Sequence, residues 1–318
     1  MARYAVIGTG GIGGYYGGRL SQSGQEVHFL LRSDYEVVRK NGLVVESCNG
    51  DFTTVPAGVY NDTKDMPLCD VILVCMKTTA NARLAQMLRP VLKPDSVVVM
   101  IQNGLGMEER LSEELPGVAI IGATAFICTF KTAPGHIRHA AYGELTLAPF
   151  RKKTCEASAE KEGEMKAEVS NDTLNMIASD MESAGIPCHI EPDIALMRWK
   201  KLVWNMPYNG MTVAYGLQTD KLTFTPKYRQ RVIGIMKEVI EAAAACGTFI
   251  PDDFVDKMIA NTEVMTPYWP SMYLDYQAHR QMELQTMYAE PIAEALRHGY
   301  HMKLSEELYQ MLIRISGN

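Results

Sequence analysis

The sequence predicts an α/β protein: a doubly wound parallel-sheet domain over residues 1–192, followed by an all-helical domain over residues 193–318. Three observations carry this. An apolar strand, Tyr4 to Ile7, runs directly into a glycine loop. Short apolar strands then alternate with helical segments through the first half of the chain. From about Asp193 only helical patterns remain, with no repeat.

Residues 4–13 read Tyr-Ala-Val-Ile-Gly-Thr-Gly-Gly-Ile-Gly, which puts Gly8, Gly10 and Gly13 in the G-x-G-x-x-G spacing. A helix-length segment ending near Gly24 and a second strand, Val27 to Leu31, complete a βαβ unit, the context that gives the spacing meaning. Gly8 permits the tight turn, Gly10 lets the backbone approach a pyrophosphate, and Gly13 lets the helix pack closely on the sheet. The helix N-terminus offers N–H groups, those of Gly11 and Ile12 included, to the phosphates. Gly8, Gly10, Gly11, Ile12 and Gly13 are therefore candidate cofactor contacts in a Rossmann-type domain.

The end of the second strand selects the dinucleotide. An NAD site carries Asp or Glu there, whereas this chain has Leu30-Leu31-Arg32-Ser33. The Arg32 guanidinium can pair with a 2′-phosphate, which favours NADPH. The alternative is a solvated charge at Arg32, with Asp34 nearby.

A small strand pair is expected at Leu43–Glu46 and Phe52–Val55. Asp70–Met76 reads as a buried parallel strand, followed by a helix around Asn81–Leu92. Pro94-Asp95 turns the chain into the strand Ser96–Ile101. Val118–Gly122, His136–His139 and Gly143–Pro149 extend the sheet. Residues 151–170, rich in Lys, Glu and Ala, read as a solvated helix or a mobile insertion without chemistry. Asn171–Gly185 is a helix capped by Asn171-Asp172, and Ile186–Ile190 is one more strand.

The 318 residues suffice for two cores, and 47% hydrophobic with 21% charged residues is ordinary for a globular chain. Net charge is −6 without a Lys/Arg block, so neither nucleic acid nor an anionic membrane is an expected partner. The seven cysteines are odd in number and form no C-x-x-C pair, which fits reduced thiols better than disulfides or a zinc site, and no metal is expected. The first strand begins almost at the N-terminus, leaving no room for a signal peptide, and the expected location is the cytoplasm. Apolar helix faces serve cores and interfaces alike, so a homodimer stays open.

Four further clusters could carry chemistry. Lys77 follows the strand Asp70–Met76, at a carboxyl end where ligands of open α/β sheets bind, or it is an ordinary surface lysine. Asn103, in Gln102-Asn103-Gly104, can donate to a carboxylate or a ribose hydroxyl, or close its loop as an Asx turn. Lys201, Asn205 and Asn209 are four apart on one helix face amid apolar neighbours. A lysine so placed can act as acid or base; the alternative is a solvated lysine like Lys200. Pro207 should kink that helix and could move Asn209 off the face. Ser271, at an N-cap position, and Glu283, on a helix, are by themselves a cap and a surface charge.

Together these stretches resemble the ketopantoate reductase (2-dehydropantoate 2-reductase) family over nearly the whole chain. The resemblance lies in the glycine loop, Arg32, Lys77, Gln-Asn-Gly at 102–104, Lys-x₃-Asn-x₃-Asn at 201–209, and Pro-Ser-Met-x₂-Asp with Glu283 twelve residues after Ser271. It implies NADPH-dependent reduction of ketopantoate to pantoate, a 2-oxo acid substrate met in the cleft between the domains, and a place in pantothenate and coenzyme A synthesis. It implies Lys201 as the general acid and Glu283 as the carboxylate near it. It implies Asn205, Asn209 and Ser271 as substrate contacts, and Asn103 and Lys77 as contacts to cofactor and substrate from the nucleotide domain. The chain departs from the family pattern at Thr219, Ala289 and Pro207. Two other readings are a paralogous reductase of another small 2-oxo acid and a non-catalytic NADPH sensor.

Overall fold

The first strand, β1 (Arg3–Ile7), lies in the middle of a ten-stranded sheet, and its residues Tyr4 to Ile7 are all fully buried. Tyr4 and Val6 face one hydrophobic core, while Ala5 and Ile7 face another on the opposite side. A strand buried on both faces is what a doubly wound sheet requires. This is a computed structural model; it describes residues 1–152 and 168–317. The chain falls into two units: residues 1–102 with 107–194, and residues 103–106 with 195–318.

In the first unit β1 is followed by α1 (Gly11–Gln22), β2 (Glu26–Leu30), α2 (Tyr35–Asn41), β3 (Leu43–Ser47), β4 (Phe52–Thr54) and β5 (Gly58–Tyr60). Then come β6 (Cys69–Val74), α3 (Leu84–Leu88), β7 (Leu92–Met100), α4 (Met107–Glu114), β8 (Ala119–Ala133), β9 (His136–Pro149), α5 (Asn171–Ser183) and β10 (Cys188–Ile190). The strand order is β4-β3-β9-β8-β7-β6-β1-β2-β5, with β10 beside β9. From β5 to β8 all neighbours are parallel. The chain leaves β1 toward β2 on one side and returns to β6 on the other, so the carboxyl end of β1 is the topological switch point.

Several expected elements take a different form. The helix expected at 81–92 is broken into a 3₁₀ turn (Thr78–Arg83), the short α3, and a second 3₁₀ turn (Arg89–Val91). Pro90 has no N–H to continue the α-helical ladder. Pro94 and Asp95 lie inside β7, within an irregularity where Cys69 pairs Leu92 but Val71 pairs Val97. Ser96 Oγ closes it, accepting from the Lys93 N–H at 2.8 Å and donating to the Cys69 carbonyl at 2.6 Å. β8 and β9 form one long antiparallel hairpin, paired from Ile121–Pro149 to Ala133–His136, so the strand runs well past the expected end at Gly122. Its outer half is largely exposed, and the burial signal that marks a core strand is absent there. β5 is only three residues long and went unforeseen. The cap of α5 is Ser170, whose Oγ accepts from Thr173 N–H at 3.1 Å, in place of Asn171-Asp172. The segment 151–170 lies mostly outside the described residues.

The second unit comprises α6 (Ile194–Tyr215, its first residue still grouped with the sheet), α7 (Thr219–Phe224), α8 (Pro226–Ala245), α9 (Phe254–Glu263), α10 (Ser271–Gln277), α11 (Glu290–Arg297) and α12 (Lys303–Ser316). They enclose their own core around Trp199, Met206, Tyr208, Met236 and Tyr288. Pro207 does not end α6, which continues to Tyr215. Asn209 stays in helical register with Asn205, its Nδ2 donating to the Asn205 carbonyl at 3.2 Å. Ser271 is the first residue of α10 and Pro270 holds the cap position. Glu283 precedes the helical turns that lead through a π segment (Gln285–Ala289) into α11, instead of lying on a helix. Among the described residues no helix is long and apolar enough to cross a membrane.

Candidate active site

β1, β2 and β6 end at one level: Ile7 pairs with Leu30 on one side and Val74 on the other. The loops that leave this level carry the glycine run, Arg32 and Lys77. The parallel register thus brings the expected cofactor residues of this unit to one edge of the sheet. Thr9 Oγ1 donates to the Leu30 carbonyl at 3.0 Å and ties the glycine loop to the end of β2.

The glycines fulfil distinct geometric demands. Gly8 has φ of +101°, and a Cβ there would collide with the Met76 backbone. A Cβ on Gly13 would strike the Gly8 carbonyl and lie 2.9 Å from Val6 Cγ1, so this glycine lets α1 approach the sheet. A Cβ on Gly11 would lie 2.7 Å from the Thr129 carbonyl oxygen in β8. Gly10 differs: a Cβ there would meet nothing within 4 Å. It caps α1 with no side chain to bond the first-turn N–H groups. An open face above bare helix N–H groups suits an anion such as a pyrophosphate.

Arg32 is exposed. Asp34, the nearby carboxylate, is buried and turned inward. It accepts from Lys131 Nζ at 2.8 Å, from the Gly135 N–H at 3.1 Å and from Ser33 Oγ at 2.8 Å. Burial would raise its pKa, but the Lys131 ammonium and these donors outweigh that and hold it below the usual carboxylate value. Asp34 is thus committed to the fold. A residue that sequence reasoning missed stabilises the Lys77 loop: the buried Gln102 exchanges two hydrogen bonds with Asn81, at 3.1 and 2.8 Å, and donates to the Met76 carbonyl at 2.7 Å. Lys77 is exposed and opens the 3₁₀ turn that contains Asn81. Nothing in the sequence marked the pairing, because amides 21 residues apart carry no periodic signal.

In the helical unit Asn103 is the surprise. It was expected to act from the nucleotide domain, yet residues 103–106 group with the helices. Asn205 Nδ2 donates to Asn103 Oδ1 at 3.4 Å, and Leu105 N–H donates to the Thr286 carbonyl at 2.9 Å. Gly104 has φ of +108° and a Cβ there would lie 2.5 Å from Thr286 Cβ. Only glycine allows this approach.

Lys201 is half-buried, one turn before the buried Asn205. Asn209 is buried and its amide is engaged at both ends: Oδ1 accepts from the Met272 N–H at 3.2 Å, and Nδ2 donates to the Asn205 carbonyl. These two bonds brace the first turn of α10 against α6, and each end of the amide keeps capacity for a further partner. Ser271, beside Met272, is exposed on that turn. Glu283 is buried, and its carbonyl accepts from the Met287 N–H at 3.3 Å. The half-buried Lys201 ammonium, the Asn103 and Asn205 amides joined by their hydrogen bond, and the buried Glu283 carboxylate all belong to the helical unit, and side chains of these types bind carboxylates and move protons.

A family model described as "Ketopantoate reductase PanE/ApbA" matches residues 4–152, and its C-terminal counterpart matches residues 193–316. The chain is 41% identical to a 2-dehydropantoate 2-reductase of Nostoc, over 99% of this chain and 95% of that one. A crystal structure of 2-dehydropantoate 2-reductase from Geobacter metallireducens is similar at a TM-score of 0.90 and 35% identity, covering 98% of this chain and 99% of its own. One from Methylococcus capsulatus reaches 0.86 at 32% identity, covering 99% and 98%.

Proposed function

The chain belongs to the ketopantoate reductase family, and from that premise we propose that it reduces 2-dehydropantoate to pantoate with NADPH. The observation that carries this reading is the common level at which β1, β2 and β6 end, which gathers a glycine-capped helix N-terminus, Arg32 and Lys77. The open face at Gly10 fits a dinucleotide pyrophosphate, with Gly8, Gly11, Ile12 and Gly13 shaping and donating to it. Arg32 pairs with the 2′-phosphate, and the commitment of Asp34 to Lys131 keeps a carboxylate from opposing it. Lys77 and Asn103 contact cofactor and substrate.

When bound, the nicotinamide supplies a hydride to the carbonyl carbon of the substrate. Reduction of a ketone develops negative charge on its oxygen, and the Lys201 ammonium stabilises that charge and delivers the proton. Glu283 holds the substrate hydroxyl and the lysine in register. Asn205, already oriented by its bond to Asn103, and Ser271 hold the carboxylate. Asn209 contacts the substrate with the remaining capacity of its amide, while the bond it accepts from Met272 N–H sets the first turn of α10 that carries Ser271.

One observation bears on a related substrate. Thr219 occupies a place where an asparagine contact would be expected, and its side chain accepts the Tyr268 N–H at 3.3 Å. The alternative substrate this leaves open is another small 2-oxo acid. The test is NADPH oxidation by the purified protein with ketopantoate and a panel of other 2-oxo acids. Ketopantoate should give the highest kcat/KM, and another acid exceeding it would move the assignment to that substrate.

A further inference from the structure

We propose that the helical unit binds a zinc-class divalent cation through Cys246, Glu294 and His298. The thiol sulfur, a Glu294 carboxylate oxygen and a ring nitrogen of His298 all lie within 4.8 Å of one another. Glu294 and His298 are one turn apart at the end of α11, so they share a face. Cys246 is the residue that caps α8, and His298 is the residue that caps α11. The ligand set is therefore assembled where two helices end.

Three physical features favour a cation there. Helix C-termini carry partial negative charge, and two of them converge on the donors. A thiolate and a carboxylate supply two negative charges, of which the Glu294 charge is shared with the Arg297 guanidinium. The two Glu294 oxygens are also differentiated: Oε2 takes the Arg297 guanidinium, while Oε1 faces His298 Nε2 at 3.7 Å. An anchored carboxylate that presents its other oxygen inward is the usual outer support of a metal ligand. The mixed sulfur, nitrogen and oxygen donors suit tetrahedral zinc, whereas magnesium and calcium demand oxygen alone. Three protein ligands leave the fourth position to water. Binding draws the donors inward to bond lengths of about 2.0–2.3 Å, and the Cys246 thiol gives up its proton to the solvent. The metal would clasp α8 to α11. None of the three residues belongs to the set assigned to substrate or cofactor.

The test uses the full-length protein without a histidine tag, stripped with a chelator. Calorimetric titration with zinc chloride should show one equivalent bound and a raised Tm. Cobalt chloride should give a thiolate charge-transfer band and the intense visible bands of a tetrahedral site. Both signals should disappear in Cys246→Ser and in His298→Ala, whose metal-free forms keep their NADPH-dependent turnover. They should persist in Cys48→Ser, which removes the exposed thiol lying 3.7 Å from His139 Nδ1. Absence of stoichiometric zinc binding, or binding undiminished in both ligand variants, overturns the proposal.

Discussion

Arg32 and Asp34 stand two residues apart with opposite fates, one exposed and one locked beneath Lys131. If Arg32 meets the 2′-phosphate, Arg32→Ala forfeits a charge-assisted contact of about 1.5–3 kcal/mol. NADPH affinity should then fall roughly tenfold or more while NADH affinity barely moves. Fluorescence titration checks this, and equal affinity of the unmutated protein for both cofactors would refute it. Lys201 offers a second residue-level test. Lys201→Ala should lower kcat by roughly a hundredfold or more, the usual scale for a general acid, with NADPH binding intact. Lys200→Ala is the control, since the next residue points about 100° away on an ideal helix. Equal losses in the two variants would remove Lys201 from the chemistry.

The hairpin of β8 and β9 titrates through His139, which is buried on the β9 strand. Its Nε2 faces the Tyr142 carbonyl at 2.8 Å and the Ala141 carbonyl at 3.1 Å, so Nε2 carries the proton and Nδ1 accepts from Ser47 Oγ at 2.9 Å. Burial pushes the imidazole pKa below its ordinary value, only partly countered by these carbonyls. The unfolded chain therefore takes up the proton first. This contribution to stability is complete above about pH 6.5 and declines as pH falls toward the folded value. His139→Gln should flatten the acid limb, as read from urea midpoints between about pH 7 and 5. A slope identical to that of the unmutated protein would assign the pH dependence elsewhere. On α6, Asn209→Ala strands the buried Met272 N–H and should destabilise the protein by about 1–3 kcal/mol. It should also raise KM more than it lowers kcat, because Ser271 loses its footing. A change in kcat alone would contradict the bracing role.

Across the whole molecule, the sheet was legible wherever burial was continuous. β1, β2 and β6 were placed to within a residue or two, because apolar runs bounded by glycine and polar turns identify buried strands. The strand expected at His136–His139 is the outer end of β9, but the outer half of β8 and the three-residue β5 escaped because their partners, more than their own residues, make them strands. Lys201 and Asn205 were legible as a helix stripe. The bracing role of Asn209 was not, since it depends on a residue 63 positions away. Asn103 was legible as a polar loop residue but not as a member of the helical unit. That membership yields a distal prediction. Gly104→Ala adds a Cβ against Thr286 at a positive φ. Hydrogen exchange should accelerate around residues 284–290 while the sheet core stays protected, and faster exchange confined to β7 would refute it. The same four-residue segment also imposes an order on biosynthesis. At roughly 5–20 residues per second, a ribosome emits Asn103 many seconds before Asn205 and Thr286 emerge. Through that interval the nascent chain must carry a finished strand, β7, beside a loop whose partners do not yet exist.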